Sequence, residues 1–184
     1  MHVLAKTKNF ALAYEQHQER PFQMLFKQDK RYALANQIDY LLLRAEQEKE
    51  LRASSQDSSQ IGLIDGGLDL DFHGFTRLFL SRNLLNQNEF DLCRRLYLLI
   101  RATLPPPELI VRLNADVETV ASRLSKRERI NIANAEDTIL FNSFLDEWLA
   151  SIPSHQALTI DVSNETMGYA KSIKMVLEYI TKNF

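Results

Sequence analysis

Four short stretches of the chain are nearly continuous in apolar residues: "FALAYE" (10–15), "QIGLID" (60–65), "PELIVRLN" (107–114) and "QALTIDV" (156–162). A strand with one wet face alternates apolar and polar residues, whereas a continuous run marks a strand covered on both faces, as in a parallel sheet. The stretches between them repeat at three- and four-residue steps. In "KRYALANQIDYLLLRAEQEKELR" (30–52), Tyr32, Leu34, Ile38, Leu41, Leu42 and Ala45 share one face, which predicts a helix. "DFHGFTRLFLSRNLL" (71–85) and "NEFDLCRRLYLLIRATL" (88–104) predict two more, the second stopped by Pro105, Pro106 and Pro107. Asp116 is placed to cap a helix over 117–128, and Asn164 one over 165–182. Strands alternating with helices predict an α/β fold on a parallel sheet.

Two segments interrupt the pattern. "ASSQDSSQ" (53–60) reads as a polar surface connector, and "KRERINIANAED" (126–137) as a charged bridge between helices. Neither is long enough to divide the chain, so one domain over 1–184 is expected. "MHVLAKTKNF" leaves no room for a strand ahead of its helix-like residues, so the chain is expected to open part-way through a helix.

Composition narrows the classes without choosing among them. The 184 residues are 45% apolar and 25% charged, ordinary globular values. Such a chain buries about 70% of its unfolded surface and needs no staples. A net charge of −2 gives no global field to recruit nucleic acid or a membrane surface. No apolar run approaches the roughly 20 residues of a membrane span. Cys93, the single cysteine, lies in an apolar-periodic stretch and reads as a buried core thiol. Without a disulfide framework or signal peptide, a cytoplasmic location is expected. His2, His17, His73 and His155 have no metal-like spacing.

Candidate chemistry sits at the strand ends. Glu15 and Asp65 each close a strand, the place where open parallel sheets bind ligands. One can accept a proton while the other helps hold Mg²⁺, or both merely solvate the edge. Gly66 and Gly67 after Asp65 can cradle a phosphate or simply turn a corner. "RLSKRER" (123–129) carries Arg123, Lys126, Arg127 and Arg129 against Glu128, which suits either a phosphate-covering lid or a solvated helix end. Gln37 and Arg44, seven residues apart, share a helix face. A glutamine there can read a base edge with its paired donor and acceptor, or sit as a satisfied core amide.

These pieces resemble the deoxynucleoside kinases. "YEQHQERPFQMLFKQDKRYALANQIDYLLLR" (14–44) is similar to that family's Glu-Pro-Val through Gln and Arg stretch. "LIDGGLDLDFHGF" (63–75) is similar to its Asp/Glu-Arg-Ser segment, and "PPPELIVRLNADVETVASRLSKRER" (105–129) to its later strand, helix and lid. The resemblance implies a three-layer α/β/α kinase fold of the phosphate-loop type. It implies Glu15 as general base at the nucleoside 5′-hydroxyl, Gln37 on the base, Arg44 and Asp71 near the base edge, and Phe75 packing on it. Phe26 takes a substrate-side place, Asp65 the Mg²⁺ side, and Arg127 and Arg129 the lid of 123–137. It further implies ATP and Mg²⁺ as cofactors, nucleoside and nucleoside triphosphate as small-molecule partners, and a homodimer.

The departures set a second expectation. No G-x-x-x-x-G-K-[ST] occurs in these residues. Gly66 replaces the family's arginine, Phe26 a tyrosine, Glu128 a glycine, and Ile132 stands where some members keep a glutamate. The fold is therefore expected to lack its first strand and phosphate loop, and the chain alone to be a very poor kinase. Either the sequence starts late, or the protein is a non-catalytic nucleotide-binding or scaffolding relative.

Overall fold

The computed structural model describes residues 4, 10–13, 19–54, 60–125, 135–166 and 168–184. They fall into two compact units, Met1–Pro106 and Pro107–Phe184.

In the first unit β1 (Phe10–Ala13) pairs in parallel with β2 (Ile61–Ile64), Phe10 opposite Ile61 and Ala13 opposite Ile64. Parallel neighbours need a long crossover, and here it contains two helices. The first, α1 (Pro21–Gln28), escapes the periodicity argument because it is only eight residues long. Pro21 opens it at the one helical position where a missing N–H costs nothing. Arg20 anchors it by donating from Nε and Nη2 to the Asp39 carboxylate, each at 2.5 Å. A 3₁₀ turn over Lys30–Tyr32 leads into α2 (Ala33–Ser54).

Beyond β2 the chain turns sharply. Gly66 and Gly67 have φ of +86° and +105°, backbone that side chains rarely adopt. The glycines turn the corner. A continuous helix, α3, then runs over 68–81: an opening turn Leu68–Leu70, a wider π-helix Asp71–Thr76, and α-helix Arg77–Ser81. It thus starts three residues before the periodicity predicts and ends four before, at a turn where Asn83 takes φ +54°. The fourth helix, α4 (Gln87–Arg101), begins at a capping box in which Glu89 N–H donates to Asn86 Oδ1 and Asn86 N–H to Glu89 Oε2. The core lies among these helices: Phe26, Ala33, Leu41, Leu68, Phe72, Phe79, Leu85 and Cys93. Burial, with Glu89 nearby, pushes the Cys93 thiol up to about 11, as expected of a core thiol.

In the second unit β3 (Ile110–Asn114) pairs in parallel with β4 (Ala157–Asp161), Ile110 opposite Ala157. Between them run α5 (Val117–Ser125) and α6 (Ala135–Ala150), and α7 (Ala170–Asn183) follows. Asp116 caps α5 as predicted, accepting from Thr119 N–H at 2.6 Å. Asn164 does not cap α7, which begins six residues later. Glu165 reaches over the intervening turn, and its Oε1 accepts from Ser172 N–H at 2.9 Å. Leu145, Trp148, Ile160, Val162 and Val176 are buried in this unit. The architecture is mixed α/β with parallel strand pairs, the class the apolar runs predict. Among the described residues no helix is long and apolar enough to cross a membrane.

Candidate nucleoside site

Helix α2 presents Gln37 and Arg44 on one face, two turns apart, and both reach α3. Gln37 is 2% exposed. Its Nε2 donates to the Asp71 carbonyl at 3.2 Å and to Thr76 Oγ1 at 2.9 Å, while Thr76 Oγ1 donates to the same carbonyl at 2.9 Å. A regular helix would give that carbonyl the N–H four residues on. Two side chains bond it here, where the helix widens into its π turn, the kind of insertion that distorts a helical ladder. The network fixes the amide's orientation, since a flipped Gln37 would set oxygen against oxygen. The donor half of the amide is therefore spent inside the protein. Its Oε1 accepts no hydrogen bond among the described residues.

Arg44 is 8% exposed and Asp71 6%, and Arg44 Nε donates to Asp71 Oδ2 at 2.9 Å. Nη1 donates to Gln47 Oε1 at 3.0 Å and to the Asp65 carbonyl at 3.4 Å. Nη2 has no hydrogen-bond acceptor among the described residues and lies 3.4 Å from the place a Cβ on Gly66 would occupy. Three of the sequence candidates thus converge: Gln37, Arg44 and Asp71.

Phe75 is half-buried on the same π segment. Phe26 is part of the core, stacked on Phe79 at 5.2 Å between ring centroids, with Lys30 Nζ 4.1 Å above its ring. Asp65 is exposed at the end of β2, and its carboxylate has no hydrogen bond or ion pair among the described residues. An accessible carboxylate oxygen is a hard donor of the kind Mg²⁺ takes. Among the described residues, however, no three His, Cys, Asp or Glu side chains converge as a metal cluster. Glu15, Arg127, Arg129, Glu128 and Ile132 lie outside the described residues. Of the basic segment 123–129, Arg123 is described: its Nη2 donates to the Val162 carbonyl at 2.9 Å.

One buried network is not apparent from the sequence. Arg101, on α4, forms bidentate pairs with Glu48 (3.0 Å and 3.0 Å) and Asp69 (3.1 Å and 2.7 Å). Tyr97 donates its hydroxyl to Asp69 Oδ1 at 2.8 Å, and Arg52 donates to Glu48 Oε1. Burial opposes the Arg101 charge, but the Glu48 hydrogen bond and the Asp69 field hold its pKa above the ordinary value. Burial and the neighbouring Asp69 carboxylate push the Tyr97 phenol well up. Only the spacing Arg94, Arg95, Arg101 on an apolar helix hints that one cation turns inward, and periodicity does not say which.

The sequence model of the deoxynucleoside kinase family matches residues 2–184. Solved structures with similar folds include deoxyadenosine kinase from M. mycoides with bound dCTP: TM-score 0.73, 19% identity, 98% of this chain and 90% of that chain covered. The same enzyme with dCMP and a flexible dCDP gives TM-score 0.71 and 18% identity over 98% and 90%. With dATP it gives 0.72 and 17% over 97% and 90%. No curated protein sequence matches the chain.

Proposed function

The chain belongs to the deoxynucleoside kinase family, and from that premise we propose that it binds a deoxynucleoside against the Gln37–Arg44–Asp71 cluster as the acceptor in ATP-dependent 5′-phosphorylation. The observation that carries this reading is convergence: two helices bring a glutamine acceptor, an arginine with an uncommitted Nη2 and a buried carboxylate together beside the Asp65 strand end. Gln37 offers Oε1, Arg44 offers Nη2, and Phe75 supplies an aromatic face at the same turn. Phe26 supports α1 and α2 from the core side. Adenine and cytosine deoxynucleosides are the first to test, since the structural neighbours hold dATP, dCTP and dCMP.

Glu15 would take the proton from the 5′-hydroxyl, and Arg127 and Arg129, the lid arginines the resemblance implies, would offset phosphate charge. Asp65 would hold Mg²⁺, which when bound with ATP supplies charge neutralisation at the phosphoryl group. The described units then serve as one kinase domain, in a cytoplasmic homodimer. Leu92, Leu98 and Leu99, which α4 leaves exposed, support the pairing.

One observation favours a second reading, a nucleotide-binding relative that transfers no phosphoryl group. Gly66 stands where the family keeps arginine, and its φ of +86° penalises any side chain at that position. These 184 residues also hold no G-x-x-x-x-G-K-[ST]. A phosphoryl-transfer assay with Mg-ATP and the four deoxynucleosides separates the two. The second reading predicts nucleoside binding without turnover above a Glu15→Gln control, the first turnover above it. Turnover above that control makes these residues sufficient for catalysis and discards the second reading.

A further inference from the structure

Asp69 and Asp71 sit two residues apart on α3, about 200° around the helix axis. Asp71 faces α2 and Arg44; Asp69 faces α4 and Arg101. One turn of α3 is thus gripped from both sides. The turn has little to fix it by itself. Its N-cap is Gly67, which has no side chain to offer, and the next six residues form a π-helix.

The outer grip is fully bonded. Every N–H of the Arg101 guanidinium has an acceptor, on Glu48, Asp69 or the Leu104 and Pro105 carbonyls. The Tyr97 hydroxyl closes Asp69 Oδ1 and also lies 3.3 Å from His73 Nε2 on the same helix, and its ring lies 4.2 Å from Phe72, stacked at 6°. Phe72 is the residue directly after Asp71. A satisfied buried network of this kind rigidifies what it holds.

We propose that Arg101 and Tyr97 are positioning residues: acting through Asp69, they fix the turn of α3 that carries Asp71, and so set nucleoside affinity from the side of the helix away from the ligand. This rests on the nucleoside reading above. Neither residue touches the nucleoside; each acts on where Asp71 stands.

The test is a double-mutant cycle on deoxyadenosine and deoxycytidine binding, read by titration calorimetry. Tyr97→Phe removes one hydroxyl and keeps the stacked ring. It weakens binding about three- to tenfold in the Asp71 background and has no further effect in Asp71→Asn. An equal loss in both backgrounds overturns the proposal, because a merely structural role does not depend on Asp71. Wild-type protein that binds neither nucleoside refutes the nucleoside reading. The positioning claim is then decided without ligand, by amide hydrogen exchange. In Arg101→Lys, which keeps the charge but loses the bidentate fork, the amides of Phe72–Thr76 exchange at least about tenfold faster relative to those of Leu41–Leu43. An unchanged ratio overturns it.

Discussion

Gly66 shows how much one residue decides. Its φ of +86° lets β2 turn into α3, and the missing side chain leaves room for the Arg44 guanidinium 3.4 Å from the would-be Cβ. Gly66→Ala therefore strains the backbone, while its Cβ meets Arg44 at ordinary contact distance. We expect a loss of about 1–2 kcal/mol, read as a lower urea midpoint at unchanged slope; an unchanged midpoint contradicts the assignment. Residues of this kind are partly legible in sequence. Gln37 and Arg44 stand out as candidates by spacing and by resemblance, Asp71 by resemblance alone. Their wiring does not, because Gln37 is expected to offer a donor and an acceptor, and the structure spends the donor on the Asp71 carbonyl and Thr76. Glu48, Asp69 and Arg101 are hidden for a different reason. Charged residues are mostly exposed, so nothing in a single sequence marks three that turn inward and pair.

Elements follow the hydrophobic period where they are long. Helices α2 and α4 lie close to their predicted positions, while α1 is too short to show a period and is announced only by Pro21. The π-helix is invisible to a 3.6-residue template, and it coincides with a tertiary contact from Gln37. Helix ends depend on caps, and one cap comes from outside its helix. Glu165 reaches Ser172 on α7, and the Ser172 hydroxyl, with the Ser172 N–H beside it, lowers its pKa from 4.5; Thr119 N–H does the same for Asp116 from 3.8 at the start of α5. A depressed carboxylate stabilises fully above its unfolded value and loses that contribution as pH falls through its folded one. The Thr119 and Ser172 amide resonances are therefore expected to hold steady at neutral pH and to titrate with midpoints below 3.8 and below 4.5 respectively. A transition of either amide above pH 5 rules out these caps.

At the scale of the molecule, continuous apolar runs separated by helical periods were enough to give parallel pairing, and β1–β2 and β3–β4 are parallel. What the pattern leaves open is which surface of the helices is a site and which is core. Phe26 illustrates the difficulty: its sequence place suggests a substrate contact, while its ring lies in the core against Phe79. Among the described residues, burial and hydrogen bonding leave Gln37 Oε1 and Arg44 Nη2 with capacity to spare, and the proposed site rests on these two groups. Calorimetric titration of the protein with deoxyadenosine and deoxycytidine, wild type beside Gln37→Ala, tests that account most directly. It predicts saturable one-site binding that weakens at least about tenfold in the variant, the loss of one well-placed hydrogen bond and of the turn it holds, with circular dichroism showing the variant folded. Binding of equal strength in a folded Gln37→Ala protein, or none in the wild type, would contradict it.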